Sequence, residues 1–133
     1  MKYDFVDEFI NGFATVVLNN KYNFIDGDGN LLSQQWFDMT GDFLEGFAIV
    51  QLYGKYNFIN TEGEIAFKRW FDMATSFFDG FAEVRLNDTY YKLDTEGNLT
   101  LKESHKLSVP LITESILRNI IRDILIVPKN IED

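Results

Sequence analysis

The residues with the strongest claim to chemistry are acidic ones that return at fixed places along the chain. Asp26-Gly27-Asp28-Gly29-Asn30 gathers two carboxylates and an amide around two glycines, the kind of oxygen-rich loop that holds calcium. A helix–loop–helix calcium site wants Gly sixth and an acid twelfth, where this chain has Leu31 and Phe37. The corresponding stretches Asn60-Thr61-Glu62-Gly63-Glu64 and Asp94-Thr95-Glu96-Gly97-Asn98 keep the glycine and lose the acid pattern. A tight turn opened by an Asx side chain accounts for every position kept, so the expectation is a turn and no metal. Asp4, Asp38 and Asp72 stand 34 residues apart and allow two readings. One is a carboxylate ladder for cations or basic peptides. The other, the better match to aspartate at loop starts, is local capping of backbone amides where strands end. His105 is the only histidine and has no Ser, Cys or carboxylate at a catalytic spacing. No nucleophile elbow, phosphate loop or metal-binding helix pair is present, and no acid pair is singled out for glycoside chemistry. The expectation is no catalytic residue, no cofactor and no enzyme.

Aromatic side chains offer recognition instead. Phe13, Phe47 and Phe81, Tyr22, Tyr56 and Tyr90, Trp36 and Trp70, and Phe37 and Phe71 recur in register, which assigns them to a core. Residues that break the register are the candidate partner-binding set: Tyr53, Phe78, Tyr91 and Lys92. Tyr53 stands where Asn19 and Asn87 do, and Phe78 where Ile10 and Leu44 do, while Tyr91 and Lys92 replace an Asn-Phe pair. For Tyr91 and Lys92 an equal alternative is that a last unit differs because it meets a cap.

The elements that must position these residues follow from one repeat. Phe9-Ile10-Asn11-Gly12-Phe13-Ala14 returns as Phe43-Leu44-Glu45-Gly46-Phe47-Ala48 and as Phe77-Phe78-Asp79-Gly80-Phe81-Ala82, with an offset of 34 each time. Fixed-period similarity marks a repeat architecture, in which each unit buries its apolar face against its neighbours. Helical arrays share this period, so the internal pattern decides. Ala14, Val16 and Leu18 alternate with variable partners, as do Ala48, Val50 and Leu52, and Ala82, Val84 and Leu86, which is the signature of a half-buried strand. Asn19-Asn20, Tyr53-Gly54 and Asn87-Asp88 suit two-residue hairpin turns. Lys21 to Ile25, Lys55 to Ile59 and Tyr90 to Leu93 read as second strands. After the Asx turn, Leu31, Ile65 and Leu99 open a third, shorter strand that runs on to Trp36-Phe37-Asp38-Met39 and Trp70-Phe71-Asp72-Met73.

The fold expected is mainly β: tandem three-stranded antiparallel meanders forming an open repeat array, with one C-terminal amphipathic helix as its cap. The units run over about 9–42, 43–76 and 77–101, preceded by a partial unit at 1–8 that can serve as a cap strand. Residues 102–133 form a connector and the helix, at about 109–126, where Ile112, Ile116, Ile120 and Ile124 lie four apart. That helix either packs back on the last unit or docks another chain.

Charge narrows the partners. The chain carries 12 basic and 21 acidic residues, a net charge of -9, all of it within residues 1–100. Such a field repels phosphate backbones and anionic surfaces, so no nucleic acid is expected. Val109 to Val127 is broken by Glu114, Arg118, Arg122 and Asp123, so no membrane span is expected. With no cysteine and no apolar leader, the expected location is the cytoplasm.

The linked pattern of Phe-x-x-Gly-Phe-Ala-x-Val-x-Leu, Lys-Tyr-x-Phe-Ile, x-x-Gly and Trp-Phe-Asp-Met over roughly residues 3–101 resembles the bacterial WG-repeat family. Tyr22-Asn23, Tyr56-Asn57 and Tyr90-Tyr91 stand where that family has its Trp-Gly pair. The resemblance implies a β-rich repeat module that mediates interactions, and brings no catalytic residues with it. The function expected is a non-enzymatic module binding a protein or peptide, basic or neutral. The alternative is binding of carbohydrate or cell-wall ligands, for which an exposed row of Trp36 and Trp70 would be needed. Self-association is open.

Overall fold

The computed structural model describes residues 2–102; the connector, His105 and the helix expected at about 109–126 lie outside the described residues. The described residues form ten strands: β1 (Phe5–Ile10), β2 (Phe13–Leu18), β3 (Lys21–Ile25), β4 (Met39–Thr40), β5 (Phe47–Leu52), β6 (Lys55–Asn60), β7 (Met73–Ala74), β8 (Phe81–Leu86), β9 (Thr89–Asp94) and β10 (Leu99–Leu101). They form three antiparallel sheets in the orders β1-β2-β3, β4-β5-β6 and β7-β8-β9-β10. The expected β-meander array is therefore the fold, and no helix occurs among the described residues.

The period-two pattern does what it requires. Ala14 and Val16 on β2, Ala48 and Val50 on β5, and Ala82 and Val84 on β8 face inward and are buried. Both hairpin turns of each unit have two residues at positive φ, the geometry that matches strand twist. Asn19-Asn20, Tyr53-Gly54 and Asn87-Asp88 join the long strands, while Asn11-Gly12, Glu45-Gly46 and Asp79-Gly80 form the turn before them. The x-Gly turns were legible only as strand starts in the sequence; the structure makes each a hairpin of its own.

One expected element is corrected. Leu31 and Ile65 do not open a third strand but make single bridges to Ile25 and Ile59. Only the third unit extends that segment into a strand, β10, paired Leu99 to Leu93 through Leu101 to Tyr91. The stretch ending in Trp36-Phe37-Asp38-Met39 also does not stay in its own unit. Phe37 exchanges both backbone hydrogen bonds with Tyr22, at 2.8 and 2.9 Å, and then Met39 and Thr40 pair with Gln51 and Val50 of the next sheet. Each such segment thus ties two consecutive sheets together, and β1 fills the same place on the first.

The core repeats with the sequence. One cluster contains Phe24, Phe37, Phe43, Ala48, Val50 and Ile59, and the next contains Phe58, Phe71, Phe77, Ala82, Val84 and Leu93, every member shifted by 34. Two side chains come from one unit and four from the following one, so no unit owns a complete core. At the first unit only Ala14, Val16 and Ile25 form a cluster, with Tyr3 packed on it at the place of Phe37.

Candidate functional site

The acidic repeats resolve into backbone clasps. Asp26 Oδ1 accepts the N–H groups of Asp28 and Asn30, both at 2.9 Å; Asn60 and Asp94 do the same for their own turns. The amides, chiefly that of Asn30, hold the Asp26 carboxyl below the usual carboxylate range, and the Asn98 amide does so for Asp94. The loop's anionic oxygen is thus already spoken for by the turn. Gly63 and Gly97 add a second reason for glycine here. A Cβ on Gly63 would stand 2.2 Å from the Leu32 carbonyl oxygen, and one on Gly97 3.2 Å from the Phe67 ring, whereas Gly29 has open space. The turn is also where a unit stacks on its predecessor.

Asp38 and Asp72 clasp the next long hairpin. The N–H of Tyr53 donates to Asp38 Oδ2 and that of Asn87 to Asp72 Oδ2, both at 2.8 Å; Asn19 donates to Asp4 Oδ2 at 2.9 Å. Lys21 and Lys55, each from the same unit as its partner, form ion pairs with Asp38 and Asp72. The lysine, then the turn amide, pulls each carboxyl below its ordinary range, and Asp38 raises Lys21 in return. The capping reading of these aspartates describes the geometry, and no cation ladder is needed to explain it.

Contacts between consecutive units define a seat. The ring of Phe43 lies 4.4 Å from Phe13 and 4.8 Å, edge-on, from Phe24 of the unit before. Phe77 meets Phe47 and Phe58 at 4.7 and 4.9 Å in the same arrangement. Beside the ring, turn groups join: Asn11 Nδ2 donates to the Phe43 carbonyl oxygen at 2.6 Å, and the Glu45 carboxylate accepts the N–H groups of Asp79 and Gly80 at 2.5 and 2.8 Å.

On the third unit no described residue fills the corresponding seat. It forms a hollow of about 670 Å³ lined by Thr75, Ser76, Phe78, Asp79, Phe81, Ala82, Glu83 and Lys92. Phe78 is 80% exposed, and the Lys92 ammonium lies 4.5 Å from the centre of the Phe81 ring. Thr75 shapes the wall, its N–H donating to the Glu83 carbonyl and its Oγ1 accepting the Glu83 N–H.

Of the four residues singled out from the sequence, the structure brings Phe78 and Lys92 together at this hollow. Tyr53 lies elsewhere, 88% exposed at the first position of the β5–β6 turn. Tyr91 is half-buried and packs on the last core cluster. The reason for Tyr91 lies in its equivalents. Asn23 and Asn57 are fully buried and hold the return loop, Asn23 donating to Ser33 and Gln35 carbonyls and Asn57 to those of Phe67 and Arg69. Beyond β9 the third unit has β10 in that place, with Leu101 paired to Tyr91 itself. Sequence reasoning missed Phe81 and Asp79, because both keep the repeat register. Phe81 is exposed where Phe13 and Phe47 are half-buried, and Asp79 is exposed as Asn11 and Glu45 are.

Neither tryptophan stands in an exposed row. Trp36 packs on the Ala14–Val16–Ile25 cluster 6.3 Å from Tyr3, and Trp70 on the cluster around Phe24 and Phe43. No helix among the described residues is long and apolar enough to cross a membrane. A family model described as WG containing repeat matches residues 1–22, 24–56 and 58–90. None of the curated proteins compared matches the chain.

Proposed function

The chain belongs to the WG-containing repeat family, and from that premise we propose that it is a non-enzymatic module that binds a protein or peptide at the outer face of its third unit. The observation that supports this reading is the unfilled seat. The first and second units each take a phenylalanine and neighbouring turn groups from the unit that follows, and on the third, where Lys92 stands in the place of Phe24 and Phe58, no described residue fills the corresponding hollow. Phe78 and Phe81 supply apolar surface for a side-chain anchor. Asp79, at the position from which Glu45 accepts two consecutive amides, supplies a carboxylate for the backbone or a basic group of the occupant. The partner that fits is an extended segment with an apolar or aromatic anchor next to a basic residue, in keeping with the acidic charge of the repeats. The sugar-stacking alternative is the less favoured reading, since Trp36 and Trp70 are partly buried against the core and form no exposed row.

Selection of a phage-displayed random peptide library on the full chain, followed by fluorescence polarisation of the enriched peptides, tests the reading. Peptides with an aromatic or aliphatic anchor should bind, and Phe78→Ser or Asp79→Asn should weaken them about tenfold or more, the loss expected of a central contact. Tyr53→Ser should leave affinity unchanged. Equal affinity for the Phe78→Ser protein, or no enrichment at all, would count against it.

A further inference from the structure

The residue before the glycine of each x-Gly turn does opposite work at the two junctions between units. At the second junction Glu45 is an acceptor, its carboxylate taking the N–H groups of Asp79 and Gly80 at 2.5 and 2.8 Å. At the first, Asn11 is a donor, its Nδ2 reaching the Phe43 carbonyl oxygen at 2.6 Å. That tie belongs to the residue whose ring seats the second unit on the first, Phe43 lying 4.4 Å from Phe13 and 4.8 Å from Phe24. Asn11 is followed by glycine, and this is the only Asn-Gly pair in the sequence. Every other asparagine precedes a residue with a side chain.

Such a pair can react with itself in water. The Gly12 backbone nitrogen, once it has given its proton to a base in solvent, attacks the Asn11 side-chain carbonyl carbon. A carbon–nitrogen bond forms, the bond to Nδ2 breaks, and that nitrogen leaves as ammonia after taking a proton from water. The product is a five-membered succinimide, and nothing is oxidised or reduced. Water then adds to either ring carbonyl, and ring opening leaves aspartate or its backbone-shifted isomer, isoaspartate. Glycine has no side chain to hinder the attacking nitrogen, and a Cβ on Gly12 would meet nothing within 4 Å beyond its chain neighbours. The folded turn opposes the step. Asn11 and Gly12 sit at φ 55° and 91°, and the Asn11 carboxamide is held by Phe43 of the next unit. To close the ring, the side chain must leave that carbonyl and turn back on its own backbone, so the reaction proceeds from a locally opened junction.

We propose that Asn11-Gly12 is a self-modification site held in check by the contact between the first two units, and that its reaction loosens that contact irreversibly. Both products put a carboxylate where the Nδ2 donor stood. The Phe43 carbonyl then loses its donor and faces a charge of the same sign as its own oxygen's partial charge. An acid serves at Glu45 because amides face it, whereas a carbonyl faces residue 11. Isoaspartate also adds a backbone carbon to a turn of two residues. Opening permits the reaction and the reaction favours opening, so the first junction is a one-way device. The inference rests on that junction alone and does not depend on the partner reading above.

Peptide mass spectrometry of the full chain tests it, after incubation in mildly alkaline buffer without urea, in urea below the unfolding transition and in urea above it. In the folded chain residue 11 should exchange its amide for a carboxyl before any other asparagine does. It should do so about tenfold or more slowly than in the unfolded chain. Below the transition its rate should rise with urea while circular dichroism stays native. Phe43→Ala should speed the reaction about tenfold or more, because the seat loses its ring. Asn11→Asp, standing for the aspartate product, should unfold at lower urea than the wild type. A folded chain that reacts as fast as the unfolded one, another asparagine reacting first, a folded Phe43→Ala protein no faster than the wild type, or an Asn11→Asp protein of wild-type stability would overturn the proposal. If Phe43→Ala does not fold, the wild-type urea series decides the gating, and a rate that stays flat up to the transition would overturn it.

Discussion

Asn57 illustrates how a repeated polar residue can belong to the core. Its side chain donates to the Phe67 carbonyl at 2.8 Å and accepts the Phe58 N–H at 2.7 Å inside a fully buried site. Asn57→Ala should cost about 2–4 kcal/mol in urea denaturation, because the carbonyls of the return loop lose their donor without gaining water. Tyr53 works in the opposite direction. It adopts φ 51° where Asn19 and Asn87 adopt 53° and 51°, and asparagine tolerates that region better than tyrosine. Tyr53→Asn should therefore raise stability by about 1 kcal/mol in the same assay; a destabilised variant would mean that the ring makes contacts which offset its backbone strain. The sequence marked Tyr53 and Tyr91 alike as breaks in the pattern. It could not separate them, because one replaces a turn residue facing solvent and the other a buried anchor.

At the level of the element, the aspartates govern how turns and strands hold together. Asp26, Asp38, Asp72 and Asp94 all have carboxyls held below the ordinary range by amides or lysines. Groups with depressed values in the folded state contribute stability above the carboxylate range and lose it as pH falls through those depressed values. Thermal stability should hold from neutrality down to about pH 5 and fall progressively below about pH 4. Because Asp38 and Asp72 are open to solvent, salt should weaken their share. The Asp38→Asn, Asp72→Asn protein should start less stable at neutral pH and lose less on acidification. An unchanged acid profile would remove these clasps from the energetics. The turns themselves were legible, since an Asx residue followed by glycine has few other uses. The third strand was misjudged for a related reason. Apolar residues at Leu31 and Trp36 look the same whether they continue a strand or pass from one sheet to the next, and only backbone pairing tells the two apart.

Across the described array, each of the two larger core clusters is completed by the following unit. That sharing explains why the residues that keep the 34-residue register report mostly on packing. It also explains why the candidate surface was only half visible. Phe78 and Lys92 depart from the repeat and could be picked out, whereas Phe81 and Asp79 keep their place in it and were not, although both line the hollow. Family membership fixes the repeat module, and the hollow on the third unit is the place we propose for binding. The most direct measurement of that claim is amide chemical-shift mapping of the ¹⁵N-labelled chain with the tightest selected peptide. Perturbations should gather on residues 75–83 and around Lys92, with the turns at Asn19 and Tyr53 left undisturbed. A map centred on the β5–β6 turn or on β1, with the third unit's seat unmoved, would contradict it.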